Sequence, residues 1–186
     1  MSRFLRPWVR IPPSPPLIFQ ISLSILTMKE KIIFDEVLIA PCGMNCGLCS
    51  SYLTLKHNLK KSGIMRAECP GCRPRGKNCA FMKKACKFLS SGTYKYCFEC
   101  SGYPCERLKR LDKRYRSFYH MSMIENLDFI RENGINKFLN QQTYKWQCPE
   151  CGDTICCHNG ICYNCKSDKL FTLKRRYRWV EDQDKR

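Results

Sequence analysis

The sequence predicts a small α+β fold stabilised by metal ions, with a cysteine-rich helical N-terminal module and a C-terminal zinc ribbon. The first observation is that 16 of the 186 residues are cysteine, and ten of these form five CxxC pairs. Two thiolates on one tight turn can occupy two corners of a tetrahedron, so repeated CxxC pairs indicate metal sites rather than disulfides. The second is an apolar content of 44%, which is normal for a globular chain. The third is that no apolar run approaches the roughly 18 residues that cross a bilayer.

Residues 1–27 differ in composition from the rest of the chain. They contain three arginines, no acidic residue and five of the ten prolines. The segment Val-Arg-Ile-Pro at residues 9–12 back-translates naturally to codons that resemble the T-loop of a tRNA gene. We therefore predict that residues 1–27 are a disordered, non-native extension and that the protein starts at Met28. A secretory signal and a genuine extension are the alternatives, and without a convincing signal we expect a reducing, cytoplasmic location.

Residues 28–120 form the predicted cysteine-rich metal-binding module. Spacing does not show which of its ten thiols bind the same metal. Ten thiols suffice for two four-ligand sites with two thiols left over; alternatively, three or four of them hold an iron–sulfur cluster. The opening CxxxCxxC has the spacing of radical S-adenosylmethionine enzymes, but the chain is too short for the barrel that those enzymes need. The candidate ligands are Cys42, Cys46, Cys49, Cys69, Cys72, Cys79, Cys86, Cys97, Cys100 and Cys105.

Apolar spacing and turn residues predict mainly helices up to residue 146. Ser122 and Glu125 form a capping-box pattern that starts a helix within the predicted helical segment 121–145, and Gly134 can end it. Glycines and prolines predict a loop over residues 62–78, and residues 34–40 are expected to be a short strand or an extended lead-in. The predicted helices are residues 49–61, 79–89, 105–119, 122–134 and 135–146. Apolar residues at helical spacing predict a core stripe on the third of these helices, made of Leu108, Leu111, Tyr115 and Phe118.

Residues 146–186 carry the strongest single metal motif, followed by a basic tail. Two CxxC turns with ten residues between them are typical of a zinc ribbon, in which each turn supplies two thiolates. Pro149 fixes φ after the first ligand and Gly152 permits a positive φ after the second, so backbone N–H groups can point at the sulfurs. From residue 170 apolar and basic residues alternate, which predicts a final strand. The candidate ligands are Cys148, Cys151, Cys162 and Cys165.

The loop of the predicted ribbon also contains Cys156, Cys157 and His158. Cys156 or His158 is a candidate ligand or redox residue, whereas the plainer interpretation is a loop thiol and a surface imidazole. The other two histidines stand alone on predicted helices and are interpreted as structural or solvent-facing. No Ser/His/Asp order, phosphate-binding loop or HExxH motif occurs, which argues against classical hydrolase or nucleotide chemistry.

The cysteine motifs also carry a resemblance to a known family. They are APCGMNCGLC at residues 40–49, CPGC at 69–72, CFEC at 97–100, PCERLKRLDKRY at 104–115, SMIENL at 122–127 and the ribbon at 146–165. With these motifs, the chain from Ile39 to about Lys166 resembles an uncharacterised cysteine-rich prokaryotic family, domain of unknown function 3795. The resemblance implies a cytoplasmic protein whose cysteines bind metal, without an established activity. Residues 1–27 fall outside it, and Cys157 is an extra thiol beside the family-like Cys156.

The chain is strongly basic, with 33 Lys and Arg against 16 Asp and Glu. The simplest interpretation of its densest basic segments is a solvated surface. The alternatives are that these segments bind the phosphates of nucleic acid or that they bind an acidic protein. No membrane partner is expected. The residues concerned are Arg107, Lys109, Arg110, Lys113, Arg114, Arg116, Lys174, Arg176 and Arg178.

Taken together, these patterns predict a cytoplasmic protein that binds two to three zinc ions at mainly structural sites and serves as an interaction module. One alternative is an iron–sulfur redox or sensor protein that uses the ten-cysteine module. Another is a nucleic-acid-binding protein directed at phosphate. The sequence weighs against an enzyme, which would need one catalytic zinc with an open coordination position.

Overall fold

The N-terminal cysteines and the helices that follow them share one apolar core. The computed structural model describes residues 34–75 and 86–183, all of which belong to the unit of residues 32–186. The proposed extension at residues 1–27 and the candidate ligand Cys79 lie outside the described residues.

Most of the regular structure is helical. In residues 34–75 and 86–183 the helices are α1 (Ser50–Lys56), α2 (Lys87–Ser90), α3 (Glu106–Tyr119), α4 (Met123–Asn133), α5 (Ile135–Lys145) and α6 (Lys169–Thr172). Single 3₁₀ turns lie at Glu36–Leu38, Cys46–Leu48, Cys97–Glu99 and Val180–Asp182. No helix in these described ranges is long and apolar enough to span a membrane.

Helices α3, α4 and α5 supply one part of the core, and α4 packs against both of the others. Leu108 of α3, Leu127 of α4 and Phe138 of α5 are fully buried. The predicted stripe on α3 is confirmed: Leu108 and Leu111 are buried, and Tyr115 and Phe118 pack half-buried against the same cluster.

The predicted boundaries of α3, α4 and α5 are confirmed to within one residue at each end. The Ser122 hydroxyl accepts the N–H of Glu125 at 3.0 Å, which caps α4 as the sequence predicts, and Gly134 follows its last residue. By contrast, α1 ends at Lys56, before the predicted residue 61. The chain turns there, because Asn58 adopts a left-handed conformation with φ of 51°.

The β structure of the described residues consists of three isolated antiparallel bridges, which pair Ile39 with Asn45, Gln147 with Thr154, and Ile155 with Cys162. Of the two forms expected for residues 34–40, a strand or an extended lead-in, the strand does not form apart from one bridge. A 3₁₀ turn forms there because the carboxylate of Asp35 accepts the N–H of Val37 at 2.9 Å. The α+β prediction holds only as a mostly helical fold with little β structure.

The predicted final strand is also wrong. The chain after Leu170 forms α6 and the 3₁₀ turn Val180–Asp182 instead. Its aromatic side chains dock singly: the Trp179 indole N–H donates to the Cys157 carbonyl at 2.9 Å, and the ring lies against the backbone of Gly160. A Cβ at Gly160 would lie 2.7 Å from that ring, so this close approach needs glycine.

A second, smaller apolar cluster lies between α1 and the C-terminal cysteine loop. It contains buried side chains from α1, from the turns after it and from the loop. Its members are Leu53, Leu59, Ile64, Cys156, Ile161, Tyr163 and Leu170. The four candidate ligands near the C-terminus therefore lie beside a small apolar cluster, whereas Cys157 of the same loop belongs to the main core.

Candidate metal centres

The four C-terminal cysteines converge on one point. Their sulfur atoms all lie within 4.8 Å of one another, and among the described residues this is the one group of three or more possible ligands to do so. The Cys148 and Cys165 sulfurs are 3.7 Å apart, and those of Cys151 and Cys162 are 3.5 Å apart. A zinc–sulfur bond of about 2.3 Å in a tetrahedron places its sulfurs about 3.8 Å apart. The arrangement therefore fits a single tetrahedral metal ion.

Two tight turns bring these sulfurs together. In the first, the N–H of Cys148 donates to the Asp153 carbonyl at 2.6 Å and the N–H of Gly152 donates to the Cys148 carbonyl at 2.9 Å. Gly152 has a φ of 74°, as its place after the second ligand predicts. In the second, the N–H of Lys166 donates to the Cys162 carbonyl at 3.0 Å. The bridges described above place the two turns opposite each other.

Backbone N–H groups favour thiolates at this centre. The N–H of Asp153 acts on the Cys151 sulfur and lowers the pKa of that thiol to about 7. Burial raises the pKa of Cys162, whereas the N–H groups of Cys165 and Asn164 oppose that rise. Because thiolates rather than thiols bind metal, N–H groups at the sulfurs prepare the turns for coordination.

Five N-terminal cysteines line a separate cavity of about 200 Å³. Spacing alone does not assign these thiols to one site, and the structure brings together the first two cysteine motifs. The thiols are those of Cys42, Cys46, Cys49, Cys69 and Cys72. Around them the wall is apolar or aromatic at Met44, Tyr52, Leu111, Tyr115 and Met123, and Arg75 supplies one positive charge. We call this site the five-thiol cavity.

Backbone hydrogen bonds hold the two parts of the five-thiol cavity together. The N–H of Cys69 donates to the Ser51 carbonyl at 3.1 Å, and the N–H of Cys72 donates to the Cys46 sulfur at 3.4 Å. Burial raises the pKa of Cys49 to about 11, against the effect of the N–H groups of Ser51 and Tyr52. An anionic thiolate at Cys49 therefore needs a cation beside it.

The glycine of the first motif is fixed by space as well as by conformation. Gly43 follows the first cysteine with a φ of 84°, and a Cβ there would lie 2.5 Å from the carbonyl oxygen of Met123. The Asn126 side chain also donates to the Gly43 carbonyl at 2.9 Å. The loop that carries Cys42 is thus pressed directly onto α4, which fixes one wall of the cavity.

A third group of cysteines lines a much smaller pocket of about 30 Å³. Its thiols are those of Cys86, Cys97, Cys100 and Cys105, and Tyr103 and Leu108 also border it. The N–H of Cys97 donates to the Pro41 carbonyl at 2.9 Å, so this four-thiol pocket adjoins the loop of the five-thiol cavity. None of the described cysteines forms a disulfide.

The interpretation of His158 as a surface imidazole is wrong, whereas Cys156 is a loop thiol as expected, although a buried one. Cys156 and Cys157 are fully buried, and His158 is 7% exposed. The N–H of Ser50 donates to Nδ1 of His158 at 3.2 Å, and the Tyr115 hydroxyl lies 3.4 Å from Nε2. The loop folds inward against α1 and α3, a contact between residues about 100 positions apart that spacing does not reveal.

Burial of His158 predicts a pH-dependent loss of stability. Burial lowers its pKa from 6.5 to about 4. The unfolded chain therefore binds this proton first, and stability falls as the pH drops from about 6.5 to about 4, by about 3 kcal/mol in total. Above pH 6.5 the residue makes no pH-dependent contribution.

Urea unfolding of the wild type and His158→Asn across this pH range isolates the contribution of His158. We expect the difference in unfolding free energy between the two proteins to shrink towards acidic pH, because only the wild type loses the contribution of a neutral His158. The cysteines titrate in both proteins and cancel in the difference. Parallel pH profiles would contradict the assignment.

The two basic segments meet at the end of α3. The guanidinium of Arg178 lies 3.7 Å from the centroid of the Phe118 ring, and the rings of His120 and Trp179 pack at 4.6 Å. The tail therefore contacts the last turn of α3 and the residue that follows it. The exposed basic side chains of the two segments include Lys109, Arg110, Lys113, Arg114, Arg116, Lys174 and Arg176.

Comparison with known proteins supports the resemblance seen in the cysteine motifs. No curated protein and no solved structure matches the chain. A family model matches residues 38–110, which include the described cysteines of the five-thiol cavity and of the four-thiol pocket. The C-terminal cysteines lie outside this match. Over residues 38–110 the chain thus resembles the family described as "Protein of unknown function (DUF3795)".

Proposed function

We propose that the protein is a cytoplasmic zinc-binding protein whose metal sites are mainly structural and whose C-terminal site is a zinc ribbon. The observation that carries this proposal is the group of four cysteine sulfurs within 4.8 Å of one another. Four thiolates fill a tetrahedral shell, which is typical of structural zinc, whereas catalytic zinc keeps one position open. The antiparallel bridges that face the two cysteine turns towards each other support the ribbon.

The four-thiol pocket is a second candidate zinc site. Four cysteines line it, and its volume of about 30 Å³ has room for one ion. No three of their sulfurs lie mutually within 4.8 Å, so binding an ion there requires the thiols to move closer together. Two structural ions would leave the protein with rigid surfaces and no catalytic metal. We infer that such a protein acts by binding a partner.

Zinc content of the full chain, purified under reducing conditions, tests the C-terminal site. Cys162→Ser is expected to lower the zinc content by about one ion per chain. Cys157→Ala is the matched control, because Cys157 is a buried cysteine of the same loop that lies outside the ligand group. Equal zinc content in the wild type and both variants would refute zinc binding by these four cysteines.

A second candidate function is binding to the phosphates of nucleic acid. The observation that favours it is the contact between Arg178 and Phe118, which joins the basic tail to the last turn of α3. A basic surface of this kind neutralises several phosphates and releases their counterions, which makes the affinity fall with salt. An acidic protein is the other partner that this surface fits.

Salt titration of binding to a duplex DNA or a single-stranded RNA oligonucleotide tests this function. The double variant Lys113→Glu/Arg114→Glu should bind more weakly and reduce the slope of log K against log salt by about 0.7–0.9 for each phosphate that it no longer neutralises. Lys137→Glu/Lys145→Glu on α5 makes the same change in net charge and serves as the control. An equal decrease in affinity in both double variants would indicate a general charge effect and contradict a specific basic surface.

A further inference from the structure

The five-thiol cavity differs from the C-terminal centre in how its sulfurs are arranged. At the C-terminal centre the four sulfurs lie close enough to contact one ion. No three of the sulfurs in the five-thiol cavity lie mutually within 4.8 Å, since the C-terminal group is the one such group among the described residues. The five thiols therefore surround a space instead of meeting at a point.

That space is too large for one ion. The cavity measures about 200 Å³, against about 30 Å³ for the four-thiol pocket next to it. A cavity needs only about 10–15 Å³ to hold one water molecule, so the five-thiol cavity has room for a group of several heavy atoms. Cysteine sulfurs spread around such a space suit a polynuclear centre.

The walls fit a compact, negatively charged inorganic cluster. Met44, Leu111 and Met123 supply apolar surface that excludes water, and Arg75 supplies a positive charge. A cluster with four thiolate ligands carries a net negative charge, which Arg75 offsets. Hydrogen bonds to the sulfurs tune such clusters, and the N–H of Cys72 already donates to the Cys46 sulfur at 3.4 Å.

We propose that the five-thiol cavity binds an iron–sulfur cluster of the [4Fe–4S] type. Cys42, Cys46 and Cys49 supply three ligands from one loop, and one thiol of the 69–72 turn supplies the fourth. The other thiol of that turn stays at the rim of the cavity. This site and its cofactor differ from those of the zinc function proposed above, so either proposal can fail without the other.

This proposal is tested on the full chain, produced with added iron and purified without oxygen. The measurements are its iron content, its acid-labile sulfide content and its visible spectrum. We expect about four iron and about four sulfide per chain, with broad visible absorption. Cys46→Ser is expected to lose most of the iron and the absorption. Cys157→Ala is the matched control, because Cys157 is a buried cysteine that lines neither the five-thiol cavity nor the four-thiol pocket.

Two further readouts keep the outcome interpretable if Cys46→Ser folds poorly. Its far-UV circular dichroism reports helices α3 to α5, and its remaining zinc reports the metal sites outside the five-thiol cavity. In addition, one of Cys69→Ser and Cys72→Ser should lose the cluster while the other keeps it. A colourless wild type with zinc as its only metal would overturn the proposal, as would equal loss of iron in Cys46→Ser and Cys157→Ala. Failure of the zinc proposal would show separately, as zinc content that does not respond to Cys162→Ser.

Discussion

Replacing Cys148 with Ser is expected to unfold the C-terminal part of the chain. A structural zinc contributes about 10–16 kcal/mol of apparent binding free energy at neutral pH, whereas a whole domain is stable by only about 5–15 kcal/mol. The apolar cluster beside this centre is small, with Leu53, Ile161 and Tyr163 among its few buried members. Without the ion, this cluster is too small to hold the two cysteine turns together.

Circular dichroism measures this effect in Cys148→Ser and in the wild type treated with a strong chelator. The near-UV spectrum reports the packing of aromatic side chains, and the far-UV spectrum reports the helices. We expect both proteins to lose the near-UV signal of Tyr163 and Trp146 together with zinc, and to unfold at lower temperature. Cys157→Ala should lose far less stability, because it removes one buried sulfur and no ligand. If chelation removed the zinc and left both spectra unchanged, the centre would not be structural.

The C-terminal centre could be predicted from sequence because its geometry is local. Each CxxC turn fixes two sulfurs within four residues, and ten residues are enough to fold one turn back onto the other. The same holds for α3, α4 and α5, whose apolar spacing and caps at Ser122 and Gly134 are properties of short segments. Such features depend on residues within one short segment, so they can be predicted without knowing the tertiary structure.

The division of the ten N-terminal thiols could not be predicted, because it depends on contacts between distant residues. Cys72 meets Cys46 across 26 positions, and Cys97 meets Pro41 across a still longer stretch. No spacing rule distinguishes these pairings from the other combinations of ten cysteines. The burial of His158 against Ser50, 108 positions away, escaped prediction for the same reason.

The tail shows how alternation can mislead. Aromatic and basic residues alternate after Leu170 as they would in a strand, but a strand needs a partner with open backbone groups. Here Trp179 and Arg178 instead contact Cys157 and Phe118 individually, and the backbone then forms the 3₁₀ turn Val180–Asp182. These individual contacts outweigh a period of two.

Replacing Asp112 with Ala is expected to destabilise the main core by about 3–4 kcal/mol. Asp112 is 5% exposed, and its carboxylate accepts hydrogen bonds from the Ser122 hydroxyl at 2.7 Å and from the N–H of Ile124 at 3.1 Å. It also accepts from Arg116 at 2.7 Å. Removal leaves partly buried donors without an acceptor at the junction of α3 and α4, where breaking a buried ion pair costs about 3–5 kcal/mol. Because Arg116 is half exposed, we place the effect at the lower end.

Urea unfolding as a function of pH separates this role from simple packing. Although burial opposes it, hydrogen bonds from Ser122, Ile124 and Arg116 lower the pKa of Asp112 below its ordinary value. The carboxylate therefore stabilises the folded protein above the unfolded pKa of about 3.9, and that stability is lost as the pH falls through the lower folded value. Asp112→Ala should remove this acid-dependent loss.

Glu106→Ala is the control, because it removes an exposed carboxylate paired with Lys109 on the same helix. It should leave both the urea midpoint of unfolding and the pH dependence of that midpoint nearly unchanged. Equal effects of the two substitutions would mean that Asp112 acts only as a surface charge, because only a buried, hydrogen-bonded carboxylate couples the middle of α3 to the start of α4.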